Sequence, residues 1–262
     1  SRMSLSQSLF HVLRLILLPH SLLLDRFLTR SRFFGVLPAR QLRQFNGRDF
    51  DRSCALFILM ITIAITGGIA CGKSTIANSL QERGPEGRIA RFDCDSGVAE
   101  LFDEDDVKKR ITKLDEKLEL LKDGKIDRKL LRKRAFESSG FREKLEKILH
   151  PLVLNQVHDF VKSVSGRAKI FLVEVPLLYE VEFPIEKDLD LVVASSRQTQ
   201  LSRLSEKRNV KRELAVRIIE SQMSLEKKMK RADIVIWNDG SEQSVTSQVD
   251  HLIERCRPIF TV

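Results

Sequence analysis

Isoleucines at positions 61, 63 and 65 alternate with Thr62 and Ala64, the two-residue period of a short buried strand. The run leads straight into Gly67, Gly68, Ile69, Ala70, Cys71, Gly72 and Lys73, and from Ser74 to Glu82 the residues Ile76, Ala77 and Leu80 share one helical face before Gly84 and Pro85. Arg88–Phe92 reads as a second strand closing on Asp93, Cys94 and Asp95. Strand, helix, strand opens a parallel sheet. From Asp105 to Ser165 the pattern is helical throughout, with breaks at Gly124, at Ser138 to Gly140 and at Pro151. Its buried stripes are Leu114, Leu118 and Leu121, then Leu130, Leu131 and Phe136, then Leu145, Ile148 and Leu152. Lys169–Val175 and Leu189–Ala194 are the third and fourth strands. Helices Gln198–Lys207 and Arg212–Met229 flank the basic turn Lys207, Arg208, Asn209; Asp233–Trp237 is the fifth strand, and the helix Ser244–Arg255 closes the unit. The pattern predicts an α/β fold, a five-stranded parallel sheet flanked by helices with a helical insertion, and ligands at the C-terminal ends of the strands.

The segment Gly67 to Ser74 spells G-x-x-x-x-G-K-S where strand should turn into helix. Glycine lets the backbone curl into conformations closed to larger residues and brings N–H groups within reach of phosphate oxygens at a helix N-terminus. The nucleotide-binding set is therefore Gly68, Ala70, Cys71, Gly72, Lys73, Ser74 and Thr75. Lys73 meets the β and γ phosphates as a point charge, the Ser74 hydroxyl ligates Mg²⁺, and Thr75 serves the α-phosphate. A chance match is the competing reading, and the strand before and helix after argue against it.

Composition changes the picture mainly at the N-terminus. The net charge of +9 suggests a nucleic-acid partner, yet residues 1 to 59 hold nine Arg, three Asp and no Lys, whereas all nineteen lysines follow Met60. The remainder is only modestly basic, as suits an enzyme handling polyphosphates, and no Arg-rich stripe with interleaved aromatics marks a nucleic-acid groove. Residues 1 to 59 therefore read as an extension outside the folded enzyme, with Met60 opening the compact unit of residues 60 to 262. An organelle targeting segment is the second choice, from its Arg, Ser and Leu and scarcity of acid. Its apolar stretch Val12 to Leu24 is interrupted by Arg14, Pro19 and His20, and the run Cys54 to Ile65 is too short to span a bilayer. Cys54, Cys71, Cys94 and Cys256 form no C-x-x-C pair and no zinc spacing, which points to a reducing compartment, the cytoplasm.

Beyond the phosphate loop, spaced motifs follow in order. They are D-x-D at Asp93 to Asp95, G-x-I-D-R-x-x-L at Gly124 to Leu131, L-H-P-L-V at Leu149 to Val153 and P-L-L-Y-E at Pro176 to Glu180. Q-L-x-R-L at Gln200 to Leu204, S-Q-M from Ser221, and A-D-x-V-I-x-N-x-G-S from Ala232 to Ser241 complete the series. From Met60 to about Ile253 the chain thus resembles the dephospho-CoA kinases, with residues 1 to 59 outside the resemblance. The resemblance implies a P-loop kinase fold with a helical acceptor-binding insertion at about 105 to 165 and a lid at about 203 to 230. It implies transfer of the ATP γ-phosphoryl group to the ribose 3′-hydroxyl of dephospho-CoA, with Mg²⁺ as cofactor.

Roles then follow by charge. Asp95 is the candidate to accept the ribose proton, and Asp93 orients metal-bound water or the ribose, since strand side chains two apart face one way. The bland alternative for this pair is a solvated turn with a helix N-cap. Glu174, at the end of a buried strand, is assigned near Mg²⁺ through water, while Glu180 reads as structural. Arg128, Arg132 and His150 are assigned to the acceptor's phosphates and ribose; for His150, before Pro151, capping or packing is the alternative. Arg208 is the favoured lid cation, with Lys207 and Arg203 as the others. Asn238 and Gly240 approach the adenine, with Trp237 beside it or packed in the sheet. Two other classes compete: a nucleotide-binding module without catalysis, and nucleic-acid binding through the Arg-rich start. The pattern specifies no oligomeric state.

Overall fold

The computed structural model describes residues 60–116, 118–181 and 184–261. The reading of residues 1 to 59 as an extension therefore lies outside the described residues. The described residues form two compact units, one built from 60–91 with 165–261 and the other from Phe92–Val164.

The first unit holds the sheet. Its strands are β1 (Ile61–Gly67), β2 (Ile89–Asp93, which runs on into the second unit), β5 (Ile170–Glu174), β6 (Leu189–Ala194) and β7 (Ile234–Trp237), in the order β2-β5-β1-β6-β7. The pairings β1 with β5, β1 with β6 and β6 with β7 are all parallel, with Ile63 opposite both Leu172 and Leu189. All five predicted strands are present; β1 runs two residues past Ile65 to Gly67, and the other ends shift by no more than a residue.

Alternation along β1 sorts its side chains between two faces. Ile61, Ile63 and Ile65, with Leu189, Leu191 and Val193, pack against Ile76, Ala77 and Leu80 of α1 (Lys73–Arg83) and Val249, Leu252 and Cys256 of α9 (Glu242–Phe260). On the opposite face Val192 and Ala194 meet Met229 of α8 (Leu225–Arg231), with Trp237 and Tyr179 against them. Both faces are covered, which is why these strands read as nearly continuous apolar runs.

Two helical predictions in this unit are corrected. The span Arg212–Met229 is two helices, α7 (Arg212–Glu220) and α8, because Ser224 caps a fresh start by accepting from the Lys227 N–H. The closing helix runs through Pro258 to Phe260 rather than ending at Arg255.

The second unit contains α2 (Cys94–Leu101), α3 (Asp105–Thr112), a hairpin of β3 (Leu121–Lys122) and β4 (Lys125–Ile126), α4 (Arg128–Glu137) and α5 (Ser139–Val164). It is not helical throughout. Asp123 and Gly124 both adopt positive φ, 51° and 73°, the turn that suits a two-residue hairpin. The Asp-Gly pair was the signal for it. Nor does Pro151 break the chain: α5 passes through it, with Leu145, Ile148, Leu149, Val153 and Val157 buried along its length. Burial of that stripe outweighs the one backbone hydrogen bond a proline removes. Leu121 and Phe136 stand exposed rather than in the core, and Leu120 is buried instead.

Candidate active site

The segment after β1 is wound into a cradle. Ala70 and Gly72 have φ of 59° and 87°, left-handed values that turn successive backbone N–H groups toward one concavity. Gly72 then serves as N-cap of α1, whose first-turn N–H groups have no partners within the helix and favour an anion. A Cβ on Gly72 would lie 2.2 Å from Nδ2 of Asn238, and one on Gly68 would lie 2.6 Å from Nε2 of Gln200. At Gly72 the neighbouring side chain and the backbone angle both favour glycine; at Gly68 only the neighbouring side chain does.

Those neighbours explain the curl. Three consecutive carbonyls of the loop are held from behind: Ile69 O by Nε2 of Gln200 at 2.8 Å, Ala70 O by Nη1 of Arg203 at 3.1 Å, and Cys71 O by Nδ2 of Asn238 at 2.8 Å. The Ile69 N–H donates to Oε1 of Gln222 at 2.9 Å. Arg203 also donates through Nη2 to Asn238 O, and Asn238 N–H donates to Ala194 O at the end of β6. Asn238 is thus tied to the back of the loop. Gly240 lies in the turn before Ser241, the N-cap of α9. Trp237 packs against the cluster around Met229, and its backbone is bracketed by the amide of Gln248.

On the front of the loop, the Lys73 ammonium donates to Gly68 O at 3.3 Å. Ser74 and Thr75 are exposed at the start of α1, and the Ser74 hydroxyl donates to Oε2 of Glu174 at 2.9 Å. Glu174 is 2% exposed, and its other oxygen is met by Nε of Arg91 at 2.5 Å, while Nη1 of Arg91 donates to Asn78. An adjoining hydroxyl and carboxylate form a hard-oxygen pair of the kind that suits Mg²⁺, which takes one or two protein ligands and completes its shell with water and phosphate. No group of three or more His, Cys, Asp or Glu side chains placed to hold a metal ion occurs among the described residues.

Sequence reasoning missed a buried lysine at the root of the loop. Lys228 is fully buried; its ammonium donates to Gly67 O and Pro176 O and forms an ion pair with Glu180 at 2.8 Å. Glu180 in turn accepts from the Met223 N–H. Arg91 and Gln222 also went unassigned. Gln200, Gln222 and Arg203 stand within the quoted motifs, but nothing in their spacing says which carbonyls they reach.

In the second unit, Asp93 is the N-cap of α2, its Oδ1 accepting from the N–H groups of Asp95 and Ser96. The strand ends at Asp93 and Asp95 is helical, so strand alternation does not set the two carboxylates on one face. Asp95 is exposed in the first turn of α2. Arg128 donates to Ala99 O at 2.9 Å and stacks over the Phe102 ring; Arg132 is exposed one turn further along α4. His150 sits inside α5 rather than at a break. The side chains of Lys207 and Arg208, two of the three lid candidates, lie outside the described residues. The third, Arg203, is occupied on the loop.

A family model described as dephospho-CoA kinase matches residues 61–244. A dephospho-CoA kinase of Fusobacterium nucleatum is 36% identical over 195 residues, which cover 74% of this chain and 98% of that one. The chain belongs to the dephospho-CoA kinase family. Among solved structures, a dephospho-CoA kinase from Campylobacter jejuni superposes with a TM-score of 0.53 at 25% identity, covering 74% of this chain and 95% of that one. A Thermus thermophilus protein shares the fold with a TM-score of 0.66 at 24% identity, covering 75% and 97%. Membership accounts for the order of the motifs, from the phosphate loop to Asn238. No helix among the described residues is long and apolar enough to cross a membrane.

Proposed function

We propose that this chain transfers the γ-phosphoryl group of ATP to the ribose 3′-hydroxyl of dephospho-CoA, giving CoA and ADP, the last step of coenzyme A synthesis. The observation that carries this reading is the curled loop from Gly67 to Gly72 leading into α1, with the Ser74 hydroxyl on Glu174, in a chain of this family. Phosphoryl transfer asks for in-line positioning and charge neutralisation more than covalent help. Main-chain N–H groups of Gly68, Ala70, Cys71 and Gly72 cradle the phosphates, with Thr75 at the α-phosphate and Lys73 swinging from Gly68 O to the β and γ oxygens. Asn238 and Gly240 border the adenine. Ser74 holds Mg²⁺ directly and Glu174 holds it through water; the ion, when bound, neutralises charge on the β and γ oxygens.

Asp95 accepts the proton of the attacking hydroxyl. Asp93 orients the acceptor by fixing the start of α2, and Arg132, with Arg128 and His150, holds the acceptor's phosphates and ribose. Arg208 closes over the phosphates from the lid, which within the span 203–230 is the part between Arg203 and Gln222, since those two residues hold the loop. We assign the catalytic unit to residues 60–262 and its setting to a reducing compartment, the cytoplasm; Cys71, Cys94 and Cys256 are buried and form no disulfide among the described residues.

An acceptor panel tests the reading. With ATP and Mg²⁺, ADP is expected only when dephospho-CoA is supplied, with equal rates from the full chain and from protein beginning at Met60. Equal turnover of nucleoside monophosphates or shikimate would redirect the assignment. Asp95→Asn is expected to lower kcat by about 100-fold, in the range for loss of a general base, while MgATP affinity by calorimetry stays within about threefold, because the substitution alters no residue of the loop itself. Undiminished kcat would leave Asp95 outside the chemistry.

A further inference from the structure

The phosphate loop is held from behind by side chains with fixed hydrogen-bond polarity. Ile69 is bracketed by two glutamines that do opposite things: Gln200, on α6 (Arg197–Arg208), donates to its carbonyl, and Gln222, in the turn between α7 and α8, accepts from its N–H. The backbone settles which amide atom faces it, because a carbonyl needs a donor and an N–H needs an acceptor. Arg203, one helical turn after Gln200, takes the next carbonyl, and Asn238 the one after. Each clamp pulls a carbonyl outward. In a peptide plane the N–H points opposite to the C=O, so holding carbonyls 69 and 71 at the back turns the N–H groups of Ala70 and Gly72 to the front, while the Cys71 N–H donates to Gly68 O at 3.3 Å.

Gln200 is 3% exposed and Asn238 9% exposed. Buried amides must be paired, and the loop carbonyls are what pair them. A Cβ on Gly68 would crowd Gln200 and one on Gly72 would crowd Asn238, so the clamps and the glycines fit each other.

We propose that Gln200, Arg203 and Gln222, with Asn238, are positioning residues that hold the phosphate loop in its anion-binding curl before nucleotide arrives. On this view α6 and the α7–α8 turn form the rear wall of the nucleotide site. The proposal rests on the kinase reading only in taking ATP as the ligand. Without the clamps the loop samples other conformations, and affinity falls by the fraction of molecules still curled. A fall to one tenth curled weakens binding about tenfold.

The test exploits the opposed polarity at Ile69 and uses the full chain with MgATP in calorimetry. Gln200→Glu sets a carboxylate against the Ile69 carbonyl and is expected to weaken MgATP binding about tenfold or more, whereas Gln222→Glu keeps an acceptor on the Ile69 N–H and stays within about threefold of wild type. Gln222→Leu, which removes the acceptor, loses about tenfold on the same reasoning. A purely structural role would make these losses follow the melting temperature of the nucleotide-free protein; the polarity reading does not. In kinetics the ATP KM rises, while the KM for dephospho-CoA holds.

If Gln200→Glu melts well below wild type, Gln200→Met decides, since it removes the donor without adding charge and is expected to weaken MgATP binding about tenfold. Wild-type affinity in Gln200→Met, or equal losses in the two Glu variants, would overturn the proposal. Wild-type protein that binds no MgATP fails both readings. Protein that binds MgATP but transfers nothing to dephospho-CoA fails the kinase reading alone.

Discussion

Lys73→Ala is expected to lower kcat for phosphoryl transfer by about 10²–10³-fold, the scale seen when one preorganised charge-stabilising donor is removed from a reacting centre. Lys73 is the first residue of α1, and its ammonium lies over the loop on Gly68 O at 3.3 Å. From there a short swing carries it to the β and γ oxygens, where negative charge must be countered during transfer. The substitution should spare the fold. Lys73 lies outside the buried face made by Ile76, Ala77 and Leu80, and alanine is the best helix former. Steady-state kinetics with saturating ATP and dephospho-CoA, beside a thermal melt of the same sample, checks both halves. Turnover within about threefold of wild type would remove the lysine from the chemistry, since a charge-stabilising donor contributes far more than that.

The second large effect concerns stability. Lys228→Met is expected to destabilise the protein by about 3 kcal/mol, the low end of the range for breaking a buried ion pair by removing one partner. The low end applies because the Glu180 side chain is 19% exposed, so water partly screens the charge left behind. Methionine fills the volume but cannot donate to Gly67 O and Pro176 O. For a folded unit of this size the loss corresponds to a melting temperature lower by roughly 6–12 °C. Adding Glu180→Gln to Lys228→Met should recover part of it, because the stranded charge is gone while an oxygen still accepts from the Met223 N–H. A double variant no more stable than Lys228→Met would show that the charge of Glu180 contributes nothing, and that the loss comes from the two carbonyls.

Much of the architecture was legible because its causes are local. A strand buried on both faces must be an apolar run, and the isoleucines at 61, 63 and 65 go to one layer as their alternation requires. The loop was legible for the same reason, since glycine at 72 answers a backbone need that acts at that residue. The misses have equally definite causes. In the insertion, charged positions at helical spacing masked the Asp123-Gly124 turn, and two-residue strands offer too short a window for alternation to register. At Pro151 a local rule was overruled by burial of the apolar stripe along α5. For Asp93 and Asp95, strand alternation was carried two residues past the point where the strand stops and α2 begins.

By itself, then, the order of residues determined the five strands of the parallel sheet, the phosphate loop and the family. These follow from backbone freedom, periodicity and side-chain type, all of which act over a few residues. Only the tertiary structure decided which groups hold that loop in shape. Gln200, Arg203, Gln222, Asn238 and Lys228 reach it across more than one hundred residues of chain. Hydrogen bonds of that separation exist only once parallel strands have brought the ends of β1, β6 and β7 together, and no spacing along the chain encodes that meeting.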